Sequence, residues 1–305
     1  MNAVREILAH AFPGRTSGEP VALAGGRSNA TYRVRVQREG DVVVRVYLRK
    51  PEAAAGEFAL LERLWGKVQV PEPLCLQPGG GEFPAAIVYR YVQGITFRDL
   101  LKTRDAAAIA EASFSVGAAL AGLDRTAVGT SSGRADVASS AMLCVLRGAR
   151  ACASSALFEK RLGSQTYVEY TRFVDDLIDA FGNDDTPAGL VHGDFSRTNV
   201  VVDRTRSGWR VAAIVDWEFA HNGPRAADIG HFLRYERPDN PRIEPHLARG
   251  FTEGGGTLPI DWRRLTRLAD LASTADGLTK NDLPEGAEAE LLEMLRATIQ
   301  ECATQ

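Results

Sequence analysis

Leu190-Val191-His192-Gly193-Asp194-Phe195-Ser196-Arg197-Thr198-Asn199 runs directly into the apolar Val200-Val201-Val202-Asp203, and a second apolar run, Val211-Ala212-Ala213-Ile214-Val215, ends at Asp216. Arg204-Thr205-Arg206-Ser207-Gly208 between them carries turn residues, so the two runs read as an antiparallel hairpin. Residues equally far from such a turn face each other, which puts Asn199 and Asp216 at one open end. Asp194 sits five residues ahead of Asn199 and joins them there. Two oxygen donors beside a carboxylate are what a hard divalent cation and a phosphate require. Taken singly, His-Gly-Asp is a turn, Asn199 a cap and Asp216 a strand-end residue. Their joint spacing is what singles them out.

Outward from this hairpin the pattern divides the chain. Residues 21–26, 30–37 and 42–49 alternate as strands, with a turn at Glu39-Gly40-Asp41 and with Val43, Arg45 and Tyr47 on one face. A helix follows over 53–65 until Pro71 and Pro73 forbid it, and 82–92 is a further strand between the Pro78-Gly79-Gly80-Gly81 turn and Gly94. Helical patterns dominate 97–125, 137–160 and 165–182, and Thr130-Ser131-Ser132-Gly133 reads as a surface loop. The expected class is α+β. A small β-rich lobe with one main helix (1–93) meets a larger, mostly helical lobe (94–305) across a hinge at 90–94.

Composition narrows the function. Of 305 residues, 45% are hydrophobic and 25% charged, which excludes a disordered chain. A net charge of −3 supplies no basic field for nucleic acid or an anionic membrane. Cys75, Cys144, Cys152 and Cys302 are too scattered for a zinc or redox pair. No leader-like segment or 18-residue apolar run is evident, so a cytoplasmic protein that does not span the membrane, a monomer or homodimer, is expected. Lysine is scarce, with only Lys50, Lys67, Lys102, Lys160 and Lys280.

The motifs together resemble the aminoglycoside phosphotransferase and choline kinase-like family, which has the protein-kinase-like fold. Its H-G-D-x-x-x-x-N loop is matched by His192 to Asn199, and its I-D-W-E strand end by Val215-Asp216-Trp217-Glu218. Gly223-Pro224-Arg225-Ala226-Ala227-Asp228-Ile229 is similar to its G-D-P-x-x-D-L segment, and the resemblance runs from about residue 20 to about 235. It implies Asp194 as the group that takes a hydroxyl proton, Asn199 and Asp216 as magnesium ligands, and His192 and Asp228 as structural supports. Upstream, it places Gly25, Gly26, Ser28 and Asn29 over the nucleotide phosphates, with Arg90, Tyr91 and Val92 offering backbone groups to an adenine. Arg45 stands where protein kinases carry a lysine, and Lys50 is the other candidate. Helical periodicity independently turns Glu57 toward the core beside Phe58, Leu61 and Leu64, where Arg45 is its natural partner.

The resemblance implies transfer of the γ-phosphate of ATP or GTP, with Mg²⁺, to a hydroxyl of a small molecule. An aminoglycoside or related antibiotic is the expected acceptor; choline, homoserine or a sugar is the metabolic alternative. A nucleotide-binding pseudokinase would have lost Asp194, Asn199 or Asp216, and all three are present. The acidic stretch 270–301, with Asp270, Asp276 and Asp282, is expected to line the pocket of a cationic acceptor. His10, His221, His231 and His246 have no spaced partners and receive no role.

Overall fold

Val42, Val44 and Val46 alternate with Val43, Arg45 and Tyr47, and all six are buried. A strand buried on both faces needs a cover on each, and the first ninety residues supply both. In this computed structural model, which describes residues 2–23, 29–80, 83–125, 140–182, 186, 188–236 and 241–303, they form α1 (Asn2–Ala11), β1 (Val21–Ala22), β2 (Asn29–Val36), β3 (Gly40–Tyr47), α2 (Ala53–Leu64), β4 (Pro73–Gln77) and β5 (Ala86–Arg90). The strands make one antiparallel sheet in the order β1-β2-β3-β5-β4. Val4, Ile7 and Leu8 of α1 cover the Val42/Val44/Val46 face. Ala54 of α2 packs against Val43 and Tyr47 on the other. α2 is amphipathic in a second direction, and Leu60, Leu61 and Leu64 enter the large core of the following half.

That half contains β6 (Ile95–Thr96), α3 (Phe97–Lys102), α4 (Ala106–Arg125), α5 (Ala141–Cys152), α6 (Ala156–Ala180), β7 (Gly189–Val191), β8 (Val200–Thr205), β9 (Gly208–Ile214), β10 (His221–Gly223), α7 (Arg225–Leu233), α8 (Glu244–Glu253), α9 (Trp262–Leu278) and α10 (Ala287–Ala303). The fold is the expected α+β class. Helix boundaries differ from the periodicity in two places. The 97–125 stretch breaks at Arg104, which takes φ 55°, and Asp105 Oδ1 then accepts from Ala108 N at 3.1 Å to start α4. The stretch expected over 137–160 stops at Cys152, because Ser155 caps a new helix through Phe158 N. Thr130 to Gly133 lie outside the described residues.

α4 carries an 18-residue window, Ala106–Leu123, with mean hydropathy 1.5, which the sequence reading had not singled out. Its Ile109, Ala112, Val116, Leu120 and Leu123 are part of the protein core. α4 crosses α8 at glycines from both sides. A Cβ on Gly117 would run into the Leu247 carbonyl, and one on Gly250 into the Phe114 carbonyl.

The crossing yields a paired expectation. Gly117→Ala or Gly250→Ala forces the helices apart and costs about 1–3 kcal/mol. Gly148→Ala, in mid-α5 with nothing within 4 Å of the added carbon, gains about 0.5–1 kcal/mol. Urea denaturation of the three variants measures both signs.

Candidate active site

The loop between β7 and β8 is held before it does any chemistry. β7 ends in the buried Leu190 and Val191 and pairs with β10, so the chain leaves the sheet at His192. There the backbone turns through Gly193 at φ 80°, where a Cβ would strike the Phe219 carbonyl. The two amides freed by this turn are both taken by Asp228 in the first turn of α7. His192 N donates to its Oδ2 at 2.9 Å and Gly193 N to its Oδ1 at 3.2 Å. Arg225 pairs with the same carboxylate at 2.8 Å. The His192 ring is fully buried against Trp217, donates from Nε2 to Val215 O at 2.9 Å and accepts at Nδ1 from Asp194 N. Burial pushes this imidazole below its ordinary pKa. Further along the loop, Arg197 donates to the carbonyls of Phe232 and Tyr235 beyond the end of α7. Burial lowers its guanidinium to about 10.

The two runs pair as the expected hairpin, with a bulge between Val201 and Val202 that shifts the register by one residue. Val200 faces Ile214, and Val215 N donates to Asn199 O at 2.9 Å, which brings Asn199 and Asp216 to one end. Asn199 Nδ2 reaches back to Asp194, donating to its carbonyl at 2.9 Å and to Oδ2 at 3.1 Å. His231 Nε2 lies 3.2 Å from the other oxygen, Oδ1. Burial pushes the Asp194 carboxyl upward, but the His231 and Asn199 bonds and the nearby imidazoles outweigh it and hold the group below the usual carboxylate range.

Asp216 adopts φ 71°, a left-handed conformation costly for a residue with a side chain, at the point where its carboxylate meets Arg45 of β3. Arg45 also lies 3.2 Å from Glu218 and 3.9 Å from Glu57. The expected Arg45–Glu57 pair is therefore the longest of three contacts. Glu57 is held instead by the Tyr47 hydroxyl and by Trp217 N at 3.1 Å. Asn29 Nδ2 donates to Glu218 at 3.2 Å. Burial raises both Glu57 and Glu218, with Asp216 adding to the rise. One guanidinium thus meets three carboxylates. The all-oxygen donor set suits a hard divalent cation.

The remaining expected residues distribute unevenly. Gly25, Gly26 and Ser28 lie outside the described residues. Lys50 stands over the Phe219 ring at 5.3 Å, whereas Arg45 is at the carboxylates. In the hinge, Arg90 N donates to Glu72 O and Tyr91 N to Asp41 O, so these two amides are engaged within the sheet region, while Val92 is half-buried beside them. Asp270, Asp276 and Asp282 do not form one acidic lining. Each has its own cation, Arg234, Lys280 and Arg49 respectively. A 460 Å³ cavity beside Asp270 is mixed in charge, with Arg242 paired to Glu236 and Arg263 to Glu244. His231, Glu218 and Tyr47 escaped the sequence reading. Spacing held the signal: His231 is three residues from Asp228 on a helix, and Glu218 two from Asp216 beyond a strand.

The model of the phosphotransferase enzyme family matches residues 20–271. A thermostable mutant of aminoglycoside phosphotransferase APH(4)-Ia, in ternary complex with AMP-PNP and hygromycin B, is similar in fold at TM-score 0.68 and 18% identity, covering 100% of both chains. The GDP and kanamycin complex of APH(2")-IIia gives 0.69 and 16%, over 100% of this chain and 98% of that one. ADP-bound aminoglycoside phosphotransferase APH(2'')-Ib gives 0.65 and 15%, over 97% of each. No curated protein matches the sequence significantly.

Removal of the Asp228 carboxylate tests the loop anchorage. Asp228→Ala strands the His192 and Gly193 amides and removes the carboxylate partner of Arg225, and an expected loss of about 3 kcal/mol or more follows from breaking a buried charged network. Asp228→Asn, which keeps one acceptor oxygen, should fall between it and the parent protein in thermal and urea denaturation.

Proposed function

We propose, from the premise that the chain belongs to the phosphotransferase enzyme family, that it is an ATP- or GTP-dependent kinase that phosphorylates a hydroxyl of an aminoglycoside or related antibiotic. The observation that carries the reading is the convergence of Asp194, Asn199 and Asp216 at one end of the β8–β9 hairpin, facing Arg45. Asp194, held as an anion, accepts the proton of the acceptor hydroxyl as that oxygen bonds to the γ-phosphorus, and the bond to the β-phosphate oxygen breaks to release the nucleoside diphosphate. Asn199, whose amide nitrogen is committed to Asp194, offers its oxygen to the cation together with Asp216. When bound, magnesium neutralises phosphate charge. Among the described residues no group of three or more His, Cys, Asp or Glu is arranged to hold a metal alone, which fits a cation that arrives with nucleotide phosphates as further ligands. Arg45 supplies a fixed positive charge on the sheet side, and the hinge carbonyls with Val92 are where the base would dock. Such a reaction belongs in the cytoplasm, where the nucleotide is.

Support for an antibiotic acceptor comes from relatives of the same fold, whose complexes contain hygromycin B and kanamycin. One observation favours a second reading. The charges lining the cavity beside Asp270 are paired with one another. A pocket so balanced suits a small neutral or zwitterionic alcohol, the acceptor of a metabolic kinase, as well as a polycation.

Two experiments test the reading. Asp194→Asn or Asp194→Ala is expected to lower kcat by about 10²–10⁴ with nucleotide affinity near normal; near-normal turnover would remove Asp194 from the chemistry. Asp216→Ala is expected to abolish the magnesium dependence of ATP or GTP binding in calorimetric titration, and an unchanged dependence would move the cation elsewhere. A panel of kanamycin, hygromycin B, choline and homoserine, scored by nucleotide consumption, chooses between the acceptor classes. Turnover of choline or homoserine, with no resistance conferred on a sensitive bacterium, would end the antibiotic reading and leave the phosphotransfer site standing.

A further inference from the structure

His231 lies on α7 one turn beyond Asp228, with Nε2 3.2 Å from Asp194 Oδ1. Its other nitrogen, Nδ1, is 3.4 Å from Arg234 Nη2. Nδ1 also lies 4.0 Å from Asp270 Oδ1, so this edge of the ring faces the Arg234–Asp270 pair and Nε2 is the nitrogen that presents a proton to Asp194. Arg234 itself is immobile. Its Nε donates to Asp270 Oδ2 at 2.7 Å, its Nη2 to Asp270 Oδ1 and, at 2.8 Å, to Ser273 Oγ. α7 and α9 approach this closely because Gly230 has no Cβ to strike the Thr266 carbonyl. A continuous hydrogen-bonded line therefore runs from Asp270 on α9, through Arg234 and His231, to the carboxylate in the loop.

We infer that His231 is a positioning residue for Asp194, and that the Arg234–Asp270 pair serves to fix its tautomer. With His231 on Oδ1 and Asn199 on Oδ2, each carboxylate oxygen has an N–H donor, which fixes the plane of the group toward the acceptor. This assigns Asp270 a place behind the base, two side chains removed from it, in contrast to the acceptor-lining role expected of it. Arg234 and Asp270 also border the 460 Å³ cavity, so a molecule bound there would touch the far end of the same line.

The inference rests on Asp194 being the base, and the test separates the two. Transfer from Mg-ATP to kanamycin, or Mg-ATP hydrolysis where kanamycin is no acceptor, is measured for the parent protein, Asp194→Asn, His231→Leu, His231→Gln and the double variant Asp194→Asn/His231→Leu. His231→Leu is expected to lower kcat about 10- to 100-fold with KM values little changed. His231→Gln, which presents an amide N–H at similar reach, should recover most of that loss. The double variant should be no worse than Asp194→Asn alone. A long-range ¹H–¹⁵N spectrum should show the His231 proton on Nε2, and that nitrogen should shift in Asp194→Asn. An unchanged kcat in His231→Leu, an equal loss in His231→Gln, a loss that multiplies on the Asp194→Asn background, or a proton on Nδ1 would each overturn the inference. Normal turnover in Asp194→Asn would instead overturn the assignment of the base.

Discussion

Arg45 meets Glu57, Asp216 and Glu218 at once, and both halves of the molecule are organised around it. It comes from the central strand of the five-stranded sheet, Glu57 from the helix packed on that sheet, and the other two acids from the segment following the hairpin. Buried charges in such a cluster are tolerated only when each finds a partner, and breaking one pair typically costs about 3–5 kcal/mol. The orientation of the sheet against the helical half is therefore tied to these same side chains. The Glu57 bond to Trp217 N and the Asn29 bond to Glu218 extend the tie on either side of Arg45.

The second organising element is α7, which holds the catalytic loop at three heights. Asp228 takes the amides of His192 and Gly193 in its first turn, His231 meets Asp194 in its last turn, and Arg197 reaches back from the loop to carbonyls at its end. A loop of this length would ordinarily be the mobile part of a fold. Here two of its amides and two of its side chains are held at one helix, and the ring of His192 is sealed beneath it against Trp217. Positioning is most of what a protein contributes to phosphoryl transfer, so a loop held in this way is itself a catalytic device.

Much of this was legible in the sequence because it depends on local periodicity and turn spacing. The hairpin from Val200 to Val215 follows from two apolar runs and one polar turn, which brings Asn199 and Asp216 to one open end; the bulge at Val201–Val202, which sets Asn199 opposite Val215, does not. The burial of Glu57 follows from helical periodicity for the same reason. What stayed hidden depends on contacts between segments far apart in the chain. Glu57 finds Tyr47 and Trp217 N because the sheet and hairpin bring them there, and no spacing rule pairs residues 57 and 217. The acidic C-terminal stretch misled for a related reason. Sequence shows how many carboxylates lie there, but Arg49 and Arg234, which pair with Asp282 and Asp270, come from an N-terminal strand end and the end of α7; only Lys280, four residues from its partner Asp276, is local.

Asn199 links the two charge environments that the site keeps separate. On one side, burial pushes the Asp194 carboxyl up, and the His231 and Asn199 bonds with the nearby imidazoles hold it below the usual carboxylate range. On the other, burial raises Glu57 and Glu218, with Asp216 adding to the rise and Arg45 opposing it. The side chain of Asn199 spans the boundary, its nitrogen on Asp194 and its oxygen free of that bond to meet a cation. An asparagine has a donor and an acceptor on the same plane, whereas an aspartate in its place would have no N–H to give to Asp194 and would set a second carboxylate against it.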